Sequence, residues 1–122
     1  MPFAPLFSTR KYGATMVLEV HGKVSDLADS AALDELDRML EQVKEPAVTN
    51  VIVDFGQSPY FGSSLLETLR RIWSDIHPRQ GKMVLCNVSP VGREILEIAK
   101  FDQLWPVVET CAEAEQRLQD QA

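Results

Sequence analysis

A chain of 122 residues with 45% hydrophobic and 25% charged side chains has the composition of one globular domain, read here as spanning 1–122. That composition excludes a disordered, collagen-like or disulfide-scaffold class. Lys and Arg number 12 against 18 Asp and Glu, a net charge of −6 that repels a phosphate backbone and sets nucleic acid aside as a partner. The apolar start Met1–Phe7 is short, lacks a basic segment and is broken by Pro2 and Pro5, so no signal peptide is expected. No apolar run reaches the length of a membrane span, and a cytoplasmic chain that does not insert into a membrane is expected. Cys86 and Cys111, with His21 and His77 as the only histidines, spell neither a zinc knuckle nor a redox pair, so no metal or other cofactor is expected.

Phe7–Tyr12 and Thr15–Val20 flank Gly13-Ala14 and predict a β-hairpin at one edge of a sheet. From about Ser30 to Val43, apolar residues recur at Ala32, Leu36, Met39, Leu40 and Val43 with charged residues between them, an amphipathic surface helix that Pro46 stops. Asn50–Phe55 is nearly continuous in apolar character, the pattern of a central strand buried on both faces. Gly56 to Gly62 has turn chemistry, after which Leu65, Leu69, Ile72, Trp73 and Ile76 mark the buried stripe of a second helix that Pro78 and Gly81 end. Lys82–Val88 predicts the next strand, and Ser89-Pro90 supplies a cap and a first-turn proline to a third helix running to about Lys100. Trp105–Val108 predicts a last short strand. Thr110-Cys111-Ala112-Glu113 has capping-box spacing and opens a final helix with Cys111, Ala114 and Leu118 on its apolar side. The class is therefore α/β: one domain, a mixed sheet of four to five strands, and about four helices packed on it.

In open sheets of this kind the loops leaving the carboxyl ends of the strands carry function, which directs attention to residues 56–64 and to Ser89. Ser64-Leu65-Leu66-Glu67 fits a capping box in which the Ser64 hydroxyl accepts from the Glu67 amide. Ser63 is not needed for that cap. A phosphate on Ser63 would meet the free amides and positive end of the helix and would add about two negative charges to the loop. A nucleophile elbow is not formed, because Gly62-Ser63-Ser64-Leu65-Leu66 lacks the second glycine of G-x-S-x-G. His77 stands at the far end of the same helix, about 20 Å away on helical rise, and His21 at a strand end reads as solvated or hydrogen-bonded. Asp54 with Glu67 or Asp102 has no spacing that makes a carboxylate pair, so no catalytic residue is assigned. Trp73 and Trp105 read as core, one of Tyr60 and Phe61 is expected as an exposed anchor for a partner, and Cys86 reads as a small buried hydrophobe.

Gly22 after the second strand, V-I-V-D-F, Y-F-G-S-S-L-L, and V-L-C-N-V-S-P-V-G-R-E-I-L-E-I-A-K-F-D-Q-L-W-P-V together resemble a STAS domain of the anti-sigma factor antagonist type, over nearly the whole chain. The resemblance implies a protein partner, often a serine kinase and anti-sigma factor, and release of the complex when a serine in a D-S-S-G motif is phosphorylated. That serine falls on Ser63. Gly62 stands where the family has aspartate, and Leu65 where it has glycine. The partner surface implied is loop 56–64 with helix 63–76, including Tyr60, Phe61, Gly62, Ser63, Ser64 and Leu65, and the neighbouring Ser89. A second reading, which the departures at Gly62 and Leu65 favour, is a phosphate-independent accessory STAS subunit docked on a membrane transporter.

Overall fold

A computed structural model describes residues 7–21, 30–57 and 61–120. In chain order these form β1 (Phe7–Tyr12), β2 (Thr15–His21), α1 (Ser30–Val43), β3 (Asn50–Gln57), α2 (Ser63–Ile76), β4 (Met83–Cys86), α3 (Pro90–Ile98), β5 (Val107–Val108) and α4 (Cys111–Asp120). The strands make one five-stranded sheet in the order β1-β2-β3-β4-β5. β1 pairs antiparallel with β2 through a turn in which Gly13 takes φ +58, and the remaining neighbours are parallel. Parallel neighbours need a crossover, and α1, α2 and α3 supply the three that join β2 to β5.

Element ends differ from the sequence reading where single residues leave the regular backbone. The fourth strand stops at Cys86 because Asn87 turns into the left-handed region at φ +57. α3 stops at Ile98, two residues early, and Lys100 at φ +64 redirects the chain into a short 3-10 turn, Phe101–Gln103. The Trp105 amide still donates back to the Phe101 carbonyl (3.1 Å), so the last strand is only Val107–Val108.

The two faces of the sheet are dressed unequally. Met16, Leu18, Val20, Val51, Val53, Phe55, Met83 and Leu85 pack with α1, α2 and α3 in the larger core. Val17, Ile52, Val84 and Cys86 face the other way, against Ala114 and Leu118 of α4. α2 buries Leu65, Leu69, Ile72 and Ile76, the i, i+4, i+7, i+11 stripe read from sequence, and each such side chain contributes about 1.5–3 kcal/mol by leaving water.

Polar contacts set how the helices lie. α1 and the turn after it are pinned along β1 by Glu35 accepting from the Phe7 amide (3.2 Å), Gln42 from the Thr9 hydroxyl (2.6 Å) and Glu45 from Lys11 (2.6 Å). Arg79 then ties two helix ends together: its guanidinium donates to the carbonyls of Val43 (2.7 Å), Glu45 (2.8 Å) and Asp75 (3.2 Å). The Glu45 carbonyl also accepts from the Val48 amide (2.9 Å), and a cation is favoured at these helix ends by the dipole.

Candidate functional site at the carboxyl ends of the central strands

The carboxyl ends of β3 and β4 lie side by side with Asp54 in register with Cys86. Asp54 Oδ1 accepts from the Gly56 amide (2.8 Å) and from Asn87 Nδ2 (3.0 Å), so one carboxylate oxygen shapes the exit of β3 and clamps it to the turn after β4. Burial opposes its ionisation, but the hydrogen bonds from Asn87, Gly56 and Cys111 outweigh that and hold the carboxyl below the usual aspartate value. A depressed folded-state value means the contribution to stability is full above the unfolded value and is lost as pH falls through the folded one. Urea midpoints measured downward from about pH 4 should therefore fall less steeply for Asp54→Asn than for the natural chain. Parallel curves would show that Asp54 is not held ionised.

α2 begins here, at Ser63, and its cap position is Gly62, extended at φ −113 and ψ −166, without a side-chain cap hydrogen bond. This corrects the capping box expected at Ser64. The Leu65 and Leu66 amides both reach the Gly62 carbonyl (3.2 and 3.3 Å), so the helix starts two residues before that box would allow and Ser64 lies inside the first turn. Its carbonyl accepts from the Thr68 hydroxyl (2.9 Å). The first turn of α2 also carries no acidic residue.

Phe61 and Leu65, expected on the partner-facing surface, are both in the core. Phe61 packs on Phe55 with ring centroids 4.9 Å apart, which anchors the loop from beneath. A Cβ added at Gly92 would stand 3.1 Å from the Phe61 ring and 2.8 Å from Val88 Cγ1, so only glycine lets the head of α3 close over that ring. Ser89 caps α3 as expected, accepting from the Gly92 amide (3.0 Å), and is half-buried. Tyr60 lies outside the described residues. The side chain of Ser63 also lies outside the described residues, while Gly56 is exposed and Gly62 and Ser64 are half-exposed, joined along α2 by the exposed Glu67, Arg70 and Arg71. His21 is bonded to Ser8 Oγ (2.9 Å), and His77 caps the opposite end of α2.

One grouping was not foreseen. Cys86 and Cys111, read from sequence as unrelated, have their sulfur atoms 3.0 Å apart, and Cys111 donates to Asp54 Oδ2 at 3.2 Å. The signal was available in part: Asp54 and Cys86 lie near the carboxyl ends of consecutive strands, and Cys111 opens the last helix.

Parallel strands led by one antiparallel strand, with three helices on one face and one on the other, define an open α/β domain. The STAS domain profile matches residues 7–114, and the chain belongs to the STAS domain family. It is 28% identical over 81 residues to BtrV of Bordetella bronchiseptica, a proposed anti-sigma factor antagonist, covering 66% of this chain and 70% of that one. Among solved structures it is similar to the anti-sigma factor antagonist domain protein of Planctomyces limnophilus, with a TM-score of 0.73, 24% identity and coverage of 88% and 93% of the two chains. The phosphorylated form of SpoIIAA, a Bacillus cell fate determinant, superposes with a TM-score of 0.70 at 19% identity, covering 92% and 98%. No described helix is long and apolar enough to cross a membrane.

Proposed function

We propose that the chain is a non-catalytic regulatory protein of the anti-sigma factor antagonist type. It binds a cytoplasmic serine kinase that doubles as an anti-sigma factor, using loop 56–64 and the exposed side of α2, and phosphorylation of Ser63 releases the complex. The observation that carries this reading is the head of α2. With glycine at the cap and no acid in the first turn, its amides and positive dipole end are not neutralised by a neighbouring carboxylate, and Ser63 is the first helical residue. A phosphate there is stabilised locally while presenting about two negative charges to whatever docks on Ser64, Glu67 and Arg71. The likeness to BtrV and to the SpoIIAA fold supports the same partner class.

The test is capture of partners from a detergent-solubilised lysate of the source cell, followed by affinity measurement and phosphoryl transfer from ATP with the purified partner. Ser63→Asp should weaken binding at least about tenfold, a loss of about 1.4 kcal/mol, and Ser63→Ala should bind but not be labelled. Equal labelling of Ser63→Ala would refute the switch. Capture of a membrane transporter held equally by Ser63→Asp would replace this reading with the accessory-subunit one.

A further inference from the structure

We propose that Cys86 and Cys111 form a reversible disulfide by exchange with a small-molecule disulfide of the glutathione type, a modification that staples α4 to β4. The sulfur atoms are 3.0 Å apart, one at the last residue of a strand and one at the first residue of a helix, so both backbones are held by regular structure. Their exposure is unequal. Cys86 is fully buried and Cys111 is half-exposed, so a reagent meets Cys111 first and Cys86 is placed behind it to complete the exchange.

Asp54, Cys86 and Cys111 also bring three potential metal-ligand atoms within 4.8 Å of one another. Distance does not separate the two uses: a disulfide needs the sulfurs to close by about 1 Å, and tetrahedral zinc needs them to open by somewhat less. Charge does. Two thiolates and a carboxylate around a divalent cation leave a net negative group against Val17, Ile52, Val84, Ala114 and Leu118, with Glu115 adding charge of the same sign and Arg10 the opposing one. A disulfide is neutral and apolar, which suits those neighbours.

In the first step the Cys111 thiolate attacks one sulfur of the reagent, whose S–S bond breaks and releases one thiolate. In the second, the Cys86 thiolate attacks Cys111 Sγ and displaces the other. Two protein thiols are oxidised, the reagent is reduced to two thiols, and the two protons leave with them. Burial pushes both protein thiols above their ordinary value, and the Asp54 carboxylate on β3 adds to this, while Arg10 on β1 opposes it at Cys111. The thiolate is therefore a minor form near neutrality, and the exchange rate should rise about tenfold per pH unit between about pH 7 and 8.

The experiment treats the reduced 122-residue chain with glutathione disulfide at about pH 8 and follows intact mass, non-reducing electrophoresis and melting temperature. The expected product has lost two hydrogen atoms, runs as a monomer and yields a peptide linking Cys86 to Cys111. Closing a loop across 25 residues should raise the melting temperature by about 10 °C, reversed by dithiothreitol. Cys86→Ala should stop at one glutathione on Cys111; alanine is chosen because a serine hydroxyl would be buried among apolar groups. The proposal is overturned if the natural chain retains a glutathione adduct, couples between chains, or stays unmodified. It is equally overturned if the reduced chain takes up one zinc ion and Asp54→Asn abolishes that uptake.

Discussion

Gly81→Ala should destabilise the chain by about 4 kcal/mol, more than the roughly 1–3 kcal/mol usual for an overpacked site. A Cβ at this position would lie 2.1 Å from the Thr49 carbonyl oxygen, 2.8 Å from that of Ile76 and 2.9 Å from Ile76 Cβ. Two of these are backbone atoms, which cannot rotate aside, and the Gly81 amide is itself held to the Ile76 carbonyl at 2.9 Å. Relief therefore requires the end of α2 to move off the entry to β3, and with it the start of β4, so the Asp54–Cys86 register suffers too. Against a total stability of about 5–15 kcal/mol this is a large fraction, and a urea midpoint close to that of the natural chain would refute the close approach. Gly13→Ala is the control. Gly13 has the left-handed φ of +58 but nothing within 4 Å of the added carbon, so only about 1–2 kcal/mol of backbone strain is expected.

Trp105→Ala should cost about 3–5 kcal/mol, and Trp105→Phe only about 1 kcal/mol. The indole is buried against the Phe101 ring at 4.9 Å and meets Trp73 edge-on at 6.2 Å, so truncation empties a volume that these two rings cannot refill by small shifts. Its Nε1 finds no acceptor among the described residues, and the phenylalanine variant removes that unsatisfied donor while keeping most of the ring contacts. Denaturant curves of the two variants decide the matter. Equal losses would mean that the indole N–H makes a hydrogen bond worth about as much as the ring.

The α/β class, the hairpin and the presence of α1 and α2 were legible because the apolar pattern takes up a period of about 3.6 after Ser30, gives way to a continuous apolar run at Asn50 and returns to about 3.6 after Ser63, and the buried set Leu65, Leu69, Ile72, Ile76 follows from it directly. The cap at Ser89 was legible because Ser-Pro has one good solution at a helix head. At Thr110 half of the box formed: its hydroxyl accepts from the Glu113 amide, but the Glu113 carboxylate reaches the Glu109 amide instead of that of Thr110. The box at Ser64 failed because local spacing competes with tertiary packing. Burial of Phe61 and Leu65 draws the chain inward early and starts the helix at Ser63. The same two residues show why an aromatic in a turn is a poor guide to exposure. The Cys86–Cys111 approach depends on α4 crossing the second face of the sheet, and no period in the sequence records which face a last helix chooses.

The two outer strands of the sheet have a consequence for recognition. β5 offers a ladder of two residues, and β1 carries Arg10 and Lys11, each in an ion pair, so neither margin is a good template for an added strand. Main-chain pairing is nearly blind to sequence, whereas a helix surface is read side chain by side chain. On the proposed function, recognition then falls to α2, where the exposed Glu67, Arg71 and Ser74 can be exchanged within about 0.5 kcal/mol of stability. Choice of partner is thereby uncoupled from integrity of the fold, so that one scaffold can be re-addressed by a few surface replacements without being rebuilt.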